Sequence, residues 1–296
     1  MTPLILQVQQ AALDDKTSIT DVIFDQSIEF DNIDEWAPEL SATLKHHISD
    51  HLVLALTKTT PKYFEDARDL LFEHADKEKI IDDMLVWFRS KQVIGYHGTR
   101  LTDEEVKAVQ DSGLLPLKAS NRTERLSRIL SVHPRWREVE STLPNIIELY
   151  GHNEYGGRRQ DQVHLTLSAA GLTKGFNHYL THGSEFDQCV ANHILGPNGK
   201  ELLKQAGHPR LIHVNIPGAI ALDAAHPYFK IEDLRSRGEV PNLIKNFLEA
   251  WCYRLAHPDF QSRDLRIDSG MTFWSTIPSH WLVKINTLTE EDLTKA

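Results

Sequence analysis

The sequence predicts an α+β protein. Apolar residues recur at helical spacing through the first ninety residues. At Lys91 the texture changes to short runs rich in strand formers, and such runs return at residues 163–168, 210–217 and 271–276. The expected organisation is a mainly helical N-terminal region over residues 1–90, followed by a sheet-bearing region over 91–296.

EFDNIDEW, from Glu29 to Trp36, reads as an acidic turn leading to Pro38. A helix is then expected over 38–57, with Leu40, Leu44, Ile48, Leu52 and Leu56 on one stripe. Thr60 and Pro61 open the next element. Phe64, Ala67, Leu71, Ala75, Ile80, Met84, Trp87 and Phe88 keep helical spacing, for one long helix or two abutting ones over 63–88.

QVIGYHGT then reads as a strand, with glycine where the backbone is critical. In LTDEEVKAVQDSGLLPL, Thr102 and Glu105 form a capping box, because hydroxyl and carboxylate can satisfy the first free amides of a helix. Val106 and Val109 face inward, and Gly113 stops the helix. Residues 118–150 read as helical and carry Arg122, Arg125, Arg128, Arg135 and Arg137. GHNEYGGRRQDQ is a polar loop, in which Arg158 and Arg159 offer a paired basic site for a phosphate.

VHLTLS alternates as a strand, with His164, Thr166 and Ser168 on one face and Val163, Leu165 and Leu167 on the other. A helix is expected over 175–195 with a break near Gly183, a strand over 210–217 and an amphipathic helix over 240–256. Residues 265–267, 271–276 and 282–285 supply the last strands, and the acidic tail after Asn286 is expected to fray.

Composition excludes several classes. The chain has 296 residues, 41% hydrophobic and 25% charged, as a folded protein has. Its two cysteines, Cys189 and Cys252, cannot build a disulfide framework or a cysteine-rich zinc module. No apolar run approaches the roughly 20 residues of a membrane helix, so no membrane partner is expected. MTPLILQVQQAALDDK lacks a basic leader, and the expected address is the cytoplasm. With 42 acidic against 32 basic residues, for a net charge of -10, nonspecific coating of nucleic acid is disfavoured. There is no GxxxxGK[ST] loop and no GxGxxG after a strand, which argues against nucleoside-triphosphate and Rossmann sites.

The chemical signal is Tyr96-His97-Gly98-Thr99-Arg100, at the end of a strand and before a capped helix. The strand fixes the imidazole. The glycine lets a flat ligand approach the backbone, whose paired donor and acceptor suit a primary carboxamide. Thr99 and Arg100 can reach sugar hydroxyls and phosphates.

This strand–HGT–loop–helix–GL tract, about 22 residues, resembles the first motif of the ADP-ribosyltransferase superfamily, in its poly(ADP-ribose)-polymerase-like and diphtheria-toxin-like branch. The resemblance implies a split β-sheet domain and NAD as co-substrate. It also implies transfer of ADP-ribose to a macromolecular acceptor, protein or nucleic acid, with release of nicotinamide. By the same likeness, His97 holds a ribose hydroxyl and the Gly98 backbone holds the nicotinamide amide. VHLTLS resembles the second pocket strand, so that His164, Thr166 and Ser168 face the ligand. The family's stacking tyrosine is missing from that strand, and Tyr179 or Tyr155 is left to supply the ring.

The chemistry also needs a carboxylate to stabilise an oxocarbenium-like sugar. Glu185 is the first choice, Asp268 on a late strand the second and Glu154 the third. A free-standing transferase of this size resembles bacterial toxins and phage-defence effectors, which implies a neutralising antitoxin as partner, with residues 1–90 as one contact surface.

Two other readings compete. His178, His182 and Glu185 give H-x3-H-x2-E, a spacing that can hold zinc in a hydrolase, although HYLTH lacks the glutamate base of HExxH enzymes. A non-catalytic NAD or ADP-ribose-binding module would keep His97 and Gly98 without a working acid.

Overall fold

The computed structural model describes residues 27–59, 61–152 and 160–294. The leader reading of the first residues, Thr60, and Glu154, Tyr155, Arg158 and Arg159 lie outside them.

The described residues begin with β1 (Ser27–Ile28) and four helices, α1 (Ile33–Leu44), α2 (Asp50–Thr59), α3 (Phe64–His74) and α4 (Lys77–Arg89). The stripe expected over 38–57 is thus carried by two helices, joined by a 3-10 turn at Lys45–His47. Leu40, Leu44, Leu52 and Leu56 are fully buried, while Ile48 at the corner is only partly so. The first helix also starts earlier than expected, with Pro38 inside it. Ile33 and Trp36 are buried, and the Trp36 indole N–H donates to the Phe30 carbonyl (3.2 Å), so packing holds a first turn that local propensity does not favour. The apolar run over 63–88 is two helices, because Asp76 caps the second by accepting from the amides of Glu78 and Lys79.

Next come β2 (Gln92–Leu101), α5 (Asp103–Ser112), α6 (Arg122–Leu130), α7 (Trp136–Val139), α8 (Leu143–His152) and β3 (Val163–Thr166). The Thr102–Glu105 capping box is formed, and Gly113 ends α5 at φ +81°. The helix expected over 175–195 is a π turn at Gly171–Gly175, then α9 (His178–His182) and α10 (Glu185–Leu195), parted at Gly183, also at φ +81°. The chain closes with α11 (Pro197–Leu203), β4 (His208–Pro217), α12 (Gly218–Ala224), α13 (Ile231–Ser236), α14 (Asn242–Ala256), β5 (Gly270–Phe273), β6 (Leu282–Thr287) and α15 (Glu290–Thr294).

Two late expectations are corrected. Residues 265–267 are not a strand: a 3-10 turn spans Ser262–Leu265, and Arg266 sits in the left-handed region at φ +49°, which extended pairing does not tolerate. The tail after Asn286, over its described residues, is not frayed but docked. Leu293 is buried, its carbonyl accepts from the Asn177 amide (2.8 Å), and Glu290 pairs with Arg100 (3.1 Å).

The six strands form one sheet in the order β5-β3-β2-β4-β6, antiparallel throughout this path, with β1 parallel to β2. β2 and β4 pair along their whole length, from Gln92–Pro217 to Leu101–His208. β3 meets β2 at a single pair, Tyr96–Thr166. Past Tyr96 the β5–β3 part and the β2–β4–β6 part therefore diverge.

The main core runs from the N-terminal helices through the sheet to α14. Phe247 of α14 meets Trp36, Phe88, Phe30 and Trp87 at ring-centroid distances of 4.8, 5.0, 5.1 and 5.9 Å. A second core joins α6, α8 and α10 through Leu126, Leu130, Phe186 and Val190. The site lies between them. Among the described residues, no helix is long and apolar enough to cross a membrane.

Candidate functional site

The divergence of β2 from β3 opens into a cavity of about 760 Å³. One wall comes from α5 and the residues after it, the other from β3, the Gly171–Gly175 turn and the start of α10. His97, Gly98, Thr99, His164, Thr166, Tyr179, Glu185 and Asp268 all line it.

His97 is fixed across the parting. Its Nδ1 donates to the main-chain carbonyl of His164 at 2.8 Å, since a carbonyl can only accept. Burial pushes the imidazole pKa below the ordinary value, and the His164 carbonyl opposes this with a smaller effect. A neutral ring with its proton on Nδ1 presents Nε2 as an acceptor. Such an acceptor suits a sugar hydroxyl and does not suit a phosphate.

The orientation of Gly98 follows from its neighbours. The Arg100 carbonyl accepts from the Arg125 guanidinium at 3.0 Å, so the backbone groups of Arg100 turn away from β4. Its partner on β4 is Pro209, which has no N–H to offer. Groups two residues apart on a strand face the same way. The N–H and C=O of Gly98 therefore face the parting, beyond the last β2–β3 pair. The other side of Gly98 is tightly packed: a Cβ there would lie 3.1 Å from Leu172 Cδ2 and 3.3 Å from Leu180 Cγ.

Glu185 opens α10, behind the N-cap Ser184, whose hydroxyl accepts from the amide of Asp187 (3.2 Å). It stands at the start of this helix, where the N-terminal dipole favours its charge. The Tyr179 hydroxyl donates to Glu185 Oε1 at 2.9 Å, and His178 Nε2 lies 3.3 Å from the same oxygen. Asp268 reaches the cavity from just before β5. Thr166 contributes a hydroxyl that is buried without a hydrogen-bond partner among the described residues. His164 is held by Gln162 Oε1 (2.9 Å) and Thr272 Oγ1 (3.4 Å).

Arg100 lines the cavity, but its guanidinium is taken up by protein partners, and Ser168 lies outside the cavity. The Arg100 guanidinium is 5% exposed and donates to the carbonyl of Gly207 (2.9 Å), to that of Leu180 (3.4 Å) and to Glu290. Its charge is met inside the protein rather than by a phosphate. Ser168 does not line the cavity. β3 ends at Thr166, and the Ser168 hydroxyl turns to Asp31 Oδ1 (2.7 Å) while accepting from the Gly171 amide (2.9 Å). The zinc spacing does not converge either. His178 and Glu185 meet, but His182 Nε2 turns toward Glu201 (3.9 Å), and among the described residues the three do not form a three-ligand cluster.

Sequence reasoning did not identify an ionic wall of this cavity. Asp187, 1% exposed, is held by Arg122 through Nε at 2.9 Å and through NH2, with Arg125 Nε at 3.6 Å. Arg125 also pairs with Glu105, which keeps its capping bond to the Thr102 amide (2.9 Å). Burial alone would raise the Glu105 carboxyl, but Arg125 and the Thr102 amide bring it below its ordinary range. The arginines were legible as a basic stretch. That one of them neutralises a buried carboxylate and another a partly buried one was not, because the partners lie 65 and 20 residues away.

Comparison with protein-family models, with curated proteins and with solved structures finds no match to this chain.

Proposed function

We propose that this chain is an NAD-dependent ADP-ribosyltransferase of the kind its YHGTR tract resembles, with an ADP-ribosyltransferase-like sheet. The observation that carries the reading is the His97 tautomer. An imidazole locked as an Nε2 acceptor stands beside a glycine whose amide and carbonyl face the same parting, with a carboxylate in the same cavity. That set suits a ribose hydroxyl, a primary carboxamide and a developing positive charge, in that order.

In this reading the bond between nicotinamide nitrogen and ribose carbon breaks, and the bonding pair leaves with nicotinamide. Glu185 stabilises the cationic sugar. A macromolecular nucleophile then forms the new bond and gives up its proton to water. Tyr179 and His178 keep the Glu185 carboxylate in one place, so little reorganisation is needed when charge develops. Asp268 is the alternative carboxylate, since Glu105 and Asp187 of the same cavity are paired with Arg125 and Arg122.

The test is release of nicotinamide from NAD by the purified chain. Incubation of cell lysate with labelled NAD, followed by protease or nuclease, then separates a protein acceptor from a nucleic-acid one. Wild-type protein that neither binds nor turns over NAD would end this reading. Binding without turnover would leave an NAD-binding module.

A further inference from the structure

Away from the cavity, the corner between α1 and α2 carries two histidines in succession. Neighbouring side chains on a regular helix point about 100° apart around its axis. Here the 3-10 turn at Lys45–His47 brings both rings to one place. His46 Nε2 lies 3.0 Å and His47 Nε2 2.8 Å from the same oxygen, Oδ2 of Asp83 on α4. The ring centroids are 3.9 Å apart.

We infer that His46, His47 and Asp83 form a binding site for a zinc-like divalent metal ion. Their ligand atoms all lie within 4.8 Å of one another. Two imidazole nitrogens and one carboxylate oxygen suit zinc, nickel or cobalt better than calcium or magnesium, which take oxygen ligands. A tetrahedral ion with bonds near 2.1 Å holds its ligand atoms about 3.4 Å apart. The two nitrogen–oxygen separations, 3.0 and 2.8 Å, need to open by about half an ångström.

Burial fits the same picture. The His47 side chain is 7% exposed and fixed, whereas His46 is 65% exposed and can adjust. Three protein ligands leave a fourth position for water on the open side. None of the three residues lines the main cavity. The ion would tie the α1–α2 corner to α4, as a brace independent of the proposed catalysis.

The experiment uses the full chain, stripped with chelator and dialysed against zinc at micromolar free concentration. One equivalent should be retained. At a hundredfold excess over Kd the unfolding midpoint should rise by roughly 5 °C. His46→Ala, which removes a mostly exposed ring and does not endanger folding, should weaken binding at least tenfold, and Asp83→Asn should do the same. His178→Ala should leave it unchanged. Failure of wild-type protein to retain zinc would overturn the proposal, leaving ordinary polar contacts of the two imidazoles with Asp83. Retention undiminished in both His46→Ala and Asp83→Asn would also overturn it, by placing the ion elsewhere among the sixteen histidines.

Discussion

The imidazole of His97 on β2 donates to the main-chain carbonyl of His164 on β3, 2.8 Å away, at the point where the two strands part. This bond spans the opening that strand pairing leaves and sets the ring's tautomer. A side chain here does for the sheet what a ladder bond does elsewhere, and leaves a nitrogen facing the cavity.

Replacement of His97 by alanine should weaken NAD binding about tenfold or more, since a charge-neutral but buried acceptor is lost together with its brace. Because burial holds the His97 pKa below 6.5, the ring is neutral at pH 7 and above. NAD affinity should therefore be flat from pH 7 to 8 and fall on acidification, as Nε2 gains a proton and ceases to accept. Calorimetric titration across that range checks both statements.

Glu185→Gln should lower nicotinamide release by about a hundredfold or more while changing NAD affinity little, the pattern of a group that acts on developing charge. Asp268→Asn is the paired measurement. If it abolishes release and Glu185→Gln does not, the roles of the two carboxylates are exchanged.

Thr166→Val replaces a buried hydroxyl that has no hydrogen-bond partner among the described residues. Removing an unsatisfied group should leave the folding free energy within about 1 kcal/mol of wild type, or raise it. A loss of NAD affinity without loss of stability would mark the hydroxyl as a ligand contact. Urea denaturation and binding measured on the same protein separate the two.

Arg122→Ala should destabilise the fold by about 3–5 kcal/mol, because it leaves the Asp187 carboxylate, 1% exposed, without its main partner. Arg122→Met combined with Asp187→Leu should cost much less than Arg122→Ala alone. Urea denaturation of the two variants decides the point.

Two further histidines set the acid limb of stability. Burial holds His182 and His213 down to about 4, helped by Lys200 and Lys204 in the first case and by Lys284 in the second. The unfolded chain takes up these protons near 6.5 and the folded chain only near 4, so stability should be full above pH 6.5 and fall as pH drops toward 4. The loss should amount to about 1–3 kcal/mol in all after solvent screening. His213→Asn should flatten the slope of the urea midpoint between pH 7 and pH 5.

The elements themselves were largely legible along the chain. Leu40, Leu44, Leu52 and Leu56 announced a buried stripe, Thr102 and Glu105 a helix start, and Gly113 and Gly183 two helix ends. These signals are local, since capping, periodicity and left-handed glycine act within a few residues. The misreadings fell where distant contacts outweighed local preference. Trp36 buried against Phe247 carries a helix through Pro38, and Leu293 docks a tail of acidic composition.

Composition, spacing and the YHGTR tract were enough to select an α+β chain and to point to one histidine–glycine pair. Pairing across the sheet brought His164, Thr166 and Asp268 to that pair, turned Arg100 and Ser168 to other partners, and closed the Arg122–Asp187 wall. Helix caps and apolar periodicity are encoded between near neighbours. Which strand ends first, and which buried charge finds a partner, depends on segments tens of residues apart meeting in the folded protein.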